Sequence, residues 1–408
     1  MTERKTQVQM QFAPHVLLGC YAAAFWLAQP TLPFLFKELG IDSGRFGLFQ
    51  SAFSLLQALG GPLVGRIIDR HGAKSALLLS HLSAALGYFS LAYAGDFSSL
   101  LLSQVFSLLQ HPTHASQTLV SLTSIASGLD PSQRSNRLAQ LSVAYGIGMT
   151  LGPSLGGLLN RYISYSSVAF LAGLVSLVNL ALTYFFVQHS LPTISQEIDP
   201  ASTSTSSSSS SNQGFTLAPV FEILKTMTVR RLVIASFFVS TATSLARSSM
   251  MLFMRDTLLL PAEVHGYVMS GIGILAVLVN IFGIKLFVSF SGEHAVLRIS
   301  SAMLAFLFFV YALIPPVLVT LLGVLSLLVL FGLCFSTVMT SFITSRVDVS
   351  LYGTVIGLNM CLSALARTVT PFMGGYLHEV SPISAPLLSC GLALTGFLLI
   401  PSFHHKSD

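Results

Sequence analysis

The chain has 408 residues, of which 53% are hydrophobic and 9% are charged, and its formal net charge is +5. Soluble domains carry about 25% charged residues, so this composition excludes a water-soluble globular protein. Near-continuous apolar runs of about 20 residues predict an all-α integral membrane protein, in which basic residues mark loops rather than a nucleic-acid surface.

The apolar runs predict twelve transmembrane helices in two pseudo-symmetric six-helix bundles. We expect an N-terminal bundle at 1–187, a cytoplasmic Ser-rich linker at 188–229 and a C-terminal bundle at 230–408. The linker contains an unbroken serine run, Ser206 to Ser211, which cannot bury apolar surface. The predicted spans are 14–35, 46–67, 74–95, 98–123, 138–159, 165–187, 231–254, 264–288, 296–315, 317–341, 353–377 and 383–402.

The distribution of lysine and arginine predicts the orientation. With both termini in the cytoplasm, fourteen of the twenty basic residues lie on the cytoplasmic side and four on the other, and only Arg247 and Arg367 fall within spans. The plasma membrane is the favoured location, with an endomembrane as the alternative, and we expect a monomer in the lipid bilayer. The four cysteines lie in apolar runs without metal-type spacing, so we expect no metal, no cofactor and no enzyme activity.

A weak internal repeat supports two homologous halves. Gly47 and Gly266, each near the start of a span, are 219 residues apart. Pro153 in span five and Pro371 in span eleven are 218 residues apart, and glycines follow both prolines at the same spacing. Two anchors at nearly one offset are typical of a duplicated six-helix unit.

The loop between spans two and three contains Gly65, Asp69, Arg70, Gly72 and Lys74. We expect Gly65 to allow close approach of two helices, and Asp69 to face the positive end of a helix in the other half while a neighbouring base pairs with it. Such a cluster acts as a latch that forms in one conformation and breaks in another. The alternative is ordinary positive charge on a cytoplasmic loop.

Span five contains a second motif, Gly148, Gly152, Pro153, Gly156 and Gly157. The small residues predict a close-packing stripe, and the proline predicts a bend. Helix packing alone is the simpler interpretation of this spacing.

These two motifs resemble those of the major facilitator superfamily, and the span-five motif resembles the antiporter signature of its drug/proton exchangers. Further residues resemble the organic cation transporter-like protein 2 subgroup of solute carriers. The resemblance implies alternating access to a central site lined by spans one, four, seven and ten. The matching positions are Gly40, Asp42, Ser43, Phe46, Gly47, Gln50, Leu56, Gln57, Leu59, Gly60, Gly61, Pro62, Gly65, Gly353, Thr354, Gly357, Leu358, Arg367, Thr368 and Pro371.

The sequence departs from the drug/proton exchangers in three ways. Gln104 stands where many of them have an arginine in span four. The second-half copy of the loop motif, around Lys285 to Glu293, has no aspartate at the matching position. All 15 acidic residues lie at span ends or in loops, although a carboxylate at mid-membrane is the usual partner of a cationic drug.

The charged and titratable groups at membrane depth are basic. Arg367 lies near the middle of span eleven and Arg247 in the outer half of span seven, where anion binding or gating competes with backbone pairing and, for Arg247, with snorkelling. His111 and His114 flank Pro112 in span four, and either of them titrates near neutral pH or simply packs between helices.

We therefore expect secondary active transport of a small organic solute, coupled to protons as an antiport with His111 carrying the proton. An anionic or neutral amphipathic solute is expected to be handled better than a quaternary cation. The alternatives are a uniporter of organic anions and a non-transporting sensor or scaffold with a transporter fold.

Overall fold

The computed structural model describes residues 2–126, 131–187, 225–313, 317–347 and 351–401, and no β-strand occurs in these ranges. Residues 188–224, most of the predicted linker, lie outside them. The last residues of that predicted linker already belong to a helix that begins at Met227, and Val229 in its first turn is fully buried. The second bundle therefore begins slightly earlier than predicted.

The helices of the first half begin at polar caps. Asp42 accepts a hydrogen bond from the Arg45 amide at 2.7 Å, and Asp96 forms a reciprocal capping box with Ser99. Its elements are α1 Thr2–Ala28, α2 Leu32–Glu38, α3 Ser43–Ala92, α4 Phe97–Ser103, a 3-10 segment Gln104–Leu109, α5 Pro112–Ala126, α6 Pro131–Leu159 and α7 Tyr165–Phe186.

The second half repeats this arrangement with longer uninterrupted helices. Its second helix passes through one π-helical segment, Val279–Gly283, before it continues. The elements are α8 Met227–Asp256, α9 Ala262–Leu278, α10 Ile284–Leu313, α11 Leu318–Thr344, α12 Tyr352–Val380 and α13 Ser384–Leu399.

Two glycines turn long helical stretches back across the membrane. Gly72 in α3 has φ 81° and ψ 164°, and Gly292 in α10 has φ 73° and ψ 157°. Glycine is the residue that adopts such positive φ values without strain. The two positions are 220 residues apart, so the same backbone turn occurs at the same place in each half.

Seven helical stretches of the described ranges are long and apolar enough to span a bilayer. Two of them, 43–92 and 262–313, have 50 and 52 residues and make two crossings each, because about 20 residues cross the hydrocarbon. α4, the 3-10 segment and α5 together form the fourth crossing. With α6 and α13, the predicted fold of twelve crossings in two six-helix bundles is confirmed.

The two halves meet through four close backbone contacts in symmetric pairs. A Cβ atom on Gly47 of α3 would overlap the Pro371 carbonyl oxygen of α12, and one on Gly266 of α9 would overlap the Pro153 carbonyl oxygen of α6. Gly375 packs in the same way against Ser43. Likewise, a Cβ on Gly157 would lie 2.6 Å from the Ala262 carbonyl oxygen.

A hydrogen bond accompanies each of the two glycine–proline contacts. The Phe372 amide donates to the Ser51 hydroxyl at 3.0 Å, and the Ser154 amide donates to the Ser270 hydroxyl at 3.0 Å. Each amide follows a proline, which disrupts the local helical hydrogen bonding, and each serine lies four residues after the contact glycine. The halves therefore satisfy each other's backbone groups.

These contacts define a closed end of the molecule, where Pro33, Ser43, Asp256 and Glu379 lie. Every hydrogen bond or ion pair that joins described residues of the two halves lies in the part of the bundle nearer this end. We call the opposite end, where α3 turns at Gly72, the loop-motif end. The structure is thus a conformation that is joined at one end only.

The glycine contacts give a direct stability test. Gly266→Ala places a Cβ against the α6 backbone, and we expect a destabilisation of ~1–3 kcal/mol and a lower Tm in detergent. Gly271→Ala on the same helix is the matched control, because a Cβ there meets no atom within 4 Å. The control should retain or slightly raise the Tm. Equal Tm values for the two variants would contradict the close packing.

Candidate substrate cavity and gate

Two arginines face the space between the halves. Arg247 on α8 keeps a large accessible surface although protein surrounds it, and Arg367 on α12 is also exposed. The two guanidinium groups are close enough to repel each other. Arg247 therefore lines an internal cavity and does not snorkel to the outer surface.

A hydrogen bond between α8 and α12 sets the depth of the two arginines. The Ser244 and Thr370 hydroxyls are 2.6 Å apart, and Ser248 reaches the Thr370 carbonyl at 3.4 Å. Arg247 lies one turn beyond Ser244 toward the closed end, and Arg367 lies one turn before Thr370 toward the loop-motif end. The two charges are thus separated in depth by roughly 9 Å, at 1.5 Å per residue.

No described carboxylate compensates these charges. The ion pairs of the described chain all involve acids at helix ends, and none includes Arg247 or Arg367. A buried guanidinium is costly without a partner or water. The cavity is therefore electropositive where the two arginines line it.

The fourth crossing is broken where the histidines were predicted. The 3-10 segment ends at Leu109, α5 begins at Pro112, and His111 lies in the break with its amide donating to the Ser80 hydroxyl at 3.3 Å. A Cβ on Gly60 would overlap the Leu108 carbonyl and lie 2.8 Å from His111 Nε2, so α3 holds this break in place.

Two further predicted site residues contribute less. The backbone of His114 lies in the first turn of α5, and its side chain is outside the described part of the structure. Gln104 is buried and donates to the adjacent Ser103 hydroxyl at 3.2 Å. In this conformation Gln104 therefore packs within its own half and does not replace a cavity charge.

The glycine stripe of span five packs within the first half. Cβ atoms on Gly148, Gly152 and Gly156 would all lie against the backbone or Cβ atoms of α1, whereas Gly157 contacts α9 of the other half. Pro153 exposes its carbonyl to Gly266. The motif therefore fixes α1 on one side and the second half on the other.

The loop motif differs from its predicted packing. A Cβ on Gly65 would meet no atom within 4 Å, so Gly65 mediates no close helix approach here. Asp69 and Arg70 are exposed, and Asp69 pairs with no described base. Lys74 donates instead to the Tyr184 carbonyl at 3.0 Å. The latch is not formed, because the halves are apart at this end.

A buried charge network seals the closed end. Arg255, only 5% exposed, forms two hydrogen bonds with Asp256 at 2.6 and 2.7 Å. Its guanidinium also crosses to the first half, donating to the Pro33 carbonyl at 2.6 Å and the Ser43 hydroxyl at 3.1 Å. This side chain ties α8 to the loop after α1 and to the start of α3.

Further contacts surround this arginine. Asp256 is 3.4 Å from His378 Nε2 and 3.8 Å from Lys37 Nζ, and the Gly44 amide donates to Glu379 at 2.7 Å. Helices α2, α3, α8 and α12 therefore meet in one polar gate. We refer to Arg255, Asp256, His378 and Lys37 as the gate cluster.

Comparison with known proteins agrees with this geometry, since residues 15–371 match the profile of the Major Facilitator Superfamily. The chain belongs to the major facilitator superfamily. Solute carrier family 22 member 18 of Mus musculus is 34% identical over 381 residues, covering 90% of this chain and 88% of that protein.

Solved facilitator structures share the fold. The nucleoside transporter NupG gives a TM-score of 0.74 at 17% identity, covering 98% of this chain and 100% of that chain. The human organic anion transporter MFSD10 (TETRAN) gives 0.64 at 20% identity, covering 97% and 99%. Family and fold are those of transporters of small solutes and not of enzymes.

Sequence reasoning missed the gate cluster of this facilitator. Arg255 was counted only as one of four basic residues on the less basic side, and Asp256 as a span-end acid. Ser51 and Ser270 were also missed, although they share the 219-residue offset of Gly47 and Gly266. That offset was the available signal for the serines, whereas no sequence spacing connects Arg255 with Pro33.

The gate cluster predicts unequal effects of two acid-to-amide changes. Asp256→Asn leaves the buried Arg255 guanidinium without its carboxylate, and we expect a loss of ~3 kcal/mol or more, measured as a lower Tm. Glu263→Gln breaks the exposed pair with Arg161 and should cost ~1 kcal/mol or less.

Spin labels at Glu38→Cys and Ser381→Cys in a cysteine-free background report the same gate. Asp256→Asn should broaden the distance distribution toward longer separations, because the halves lose their strongest link. A distribution unchanged by Asp256→Asn, together with Tm losses equal to those of Glu263→Gln, would show that the cluster does not hold the gate closed.

Proposed function

We propose that this facilitator is a secondary active transporter of small organic anions, coupled to protons as an antiport. The observation that carries the anion assignment is the pair Arg247 and Arg367, accessible in the cavity and unpaired with any described carboxylate. A carboxylate or sulfonate entering the cavity offsets the cost of these charges, whereas a cation adds repulsion.

Two arginines at different depths suit a stepwise path for an anion. Arg367 lies nearer the loop-motif end, so an anion from that side meets it before Arg247. Planar guanidinium groups bind carboxylates through two parallel hydrogen bonds, and such charge-assisted bonds are strong. Ser244 and Thr370 keep both guanidinium-bearing helices in register.

The closed gate and the unformed latch support alternating access. Basic residues are concentrated toward the loop-motif end, which assigns that end to the cytoplasm, so the structure is an inward-open conformation. In the outward-open conformation the gate cluster separates, and Asp69 pairs across the approaching halves. Each conformation then keeps one set of inter-half contacts.

Proton coupling is assigned to His111. Its place in the break between the 3-10 segment and α5 puts a titratable ring beside non-helical backbone, where a change of charge alters the local hydrogen bonding. No described carboxylate lies at this depth to carry the proton instead.

The anion assignment predicts a strong effect of removing the accessible charge. Arg367→Gln should raise the Km for an organic anion such as 3-phenylpropanoate about 10- to 100-fold in proteoliposomes, because charge-assisted hydrogen bonds contribute ~1.5–3 kcal/mol. Arg298→Gln is the matched control, since Arg298 stacks on Phe397 outside the cavity. Transport of tetraethylammonium at a rate equal to that of the anion would contradict the assignment.

The coupling assignment predicts a separation of two activities. His111→Gln should abolish uptake driven by a pH gradient while exchange of labelled for unlabelled anion continues, because only the proton carrier is lost. His294→Gln, which removes a 2.7 Å contact with the Pro401 carbonyl, is the control and should retain both activities. Unchanged gradient-driven uptake in His111→Gln would refute the role of His111.

A further inference from the structure

The wall of the cavity contributed by the first half is aromatic. Phe25 lies edge-on to Trp26 with ring centroids 5.5 Å apart, and it stacks on Phe53 at 5.8 Å with an interplanar angle of 28°. Trp26 Nε1 donates to the Tyr145 hydroxyl at 3.3 Å. Three helices, α1, α3 and α6, thus contribute to one cluster, which we call the aromatic wall: Phe25, Trp26, Phe53 and Tyr145.

The aromatic wall lies at the depth of the arginines. The Gln50 amide of α3 reaches the Met251 sulfur of α8 at 3.8 Å across the two halves. From this contact, Phe53 is three residues along α3 toward the loop-motif end. Arg247 is four residues along α8 in the same direction. At 1.5 Å per residue these positions lie about 4.5 and 6 Å below the contact, on opposite sides of the cavity.

The aromatic wall differs from the aromatic packing elsewhere in this half. Phe36, Phe46 and Phe49 near the closed end are 0%, 1% and 3% exposed and pack edge-to-face with one another. All four members of the aromatic wall are only partly buried. A cluster that served packing alone would be covered to the same extent as the first group, so the remaining surface is available to a ligand.

We propose that the aromatic wall binds an aryl group of the transported anion, so that the substrates are aromatic carboxylates or sulfonates. This inference rests on the anion transport proposed above and adds the second half of the recognition. An aryl ring stacks offset or edge-on against aromatic side chains at centroid distances of about 4.5–7 Å, while its acid group points to the guanidinium groups opposite. The Trp26–Tyr145 hydrogen bond holds the indole in place before the ligand arrives.

Trp26 is the single tryptophan of the chain, so its fluorescence reports this site directly. The test uses the purified full chain in detergent and compares 3-phenylpropanoate with 3-cyclohexylpropanoate, which have the same acid group and chain length. Calorimetry gives the affinity of each, and indole emission shows whether the ring reaches Trp26. We expect about ten-fold tighter binding of the phenyl compound and a saturable change in Trp26 emission.

Phe53→Leu should remove most of the preference for the phenyl compound while binding of the cyclohexyl compound remains. Phe306→Leu is the control, because Phe306 is 56% exposed on α10 and belongs to no part of the aromatic wall. If Phe53→Leu does not fold, the affinity ratio and the Trp26 response of the unaltered protein decide the question alone.

The outcomes separate the two proposals. Equal affinity for both carboxylates, reduced alike by Arg367→Gln, would overturn the aryl inference and leave anion transport standing. Absence of binding by either carboxylate, together with no flux of organic anions in proteoliposomes, would overturn both. A preference for the phenyl compound that survives Phe53→Leu unchanged, with constant Trp26 emission, would also overturn the aromatic wall as the binding surface.

Discussion

Two prolines within membrane helices each disrupt the helical hydrogen bonding of the amide that follows, and the way these amides are satisfied determines how the halves meet. In lipid, an unsatisfied backbone N–H costs several kcal/mol. Ser270 accepts from the residue after Pro153, and Ser51 accepts from the residue after Pro371. Because the acceptor always belongs to the other half, each bundle depends on its partner to complete its own backbone.

This dependence suits a protein that must open and close. A single neutral hydrogen bond contributes only about 1 kcal/mol net, so two of them align the halves without locking them. The gate cluster adds the stronger link, because Arg255 is almost fully buried and bonded to both halves. The closed end is therefore held by geometry that is symmetric and by charge that is not, and only the charge is easily lost when the halves separate.

The sequence predicted the features that depend on local pattern. Apolar runs gave the twelve crossings, and the offset between Gly47 and Gly266 indicated the repeat. It did not predict the contacts that form between distant segments. Arg255 and Pro33 are 222 residues apart. Their bond arises only when the halves close. Gly65 was assigned a packing role from its motif, yet it packs against nothing here, because the motif acts in a conformation that the structure does not represent.

The repeat preserves backbone geometry but divides the chemistry between the halves. Gly292 keeps the turn of Gly72, while Ser289 stands at the position of Asp69. In the same alignment, Ala28 and Met149 stand opposite Arg247 and Arg367, and Leu245 and Ile272 stand opposite Trp26 and Phe53. The cationic surface thus belongs only to the second half and the aromatic surface only to the first. A ligand that carries both an aryl group and an acid must bridge the two, so its own dimensions oppose separation of the halves. That bridging links occupancy of the cavity to the movement that opens and closes it.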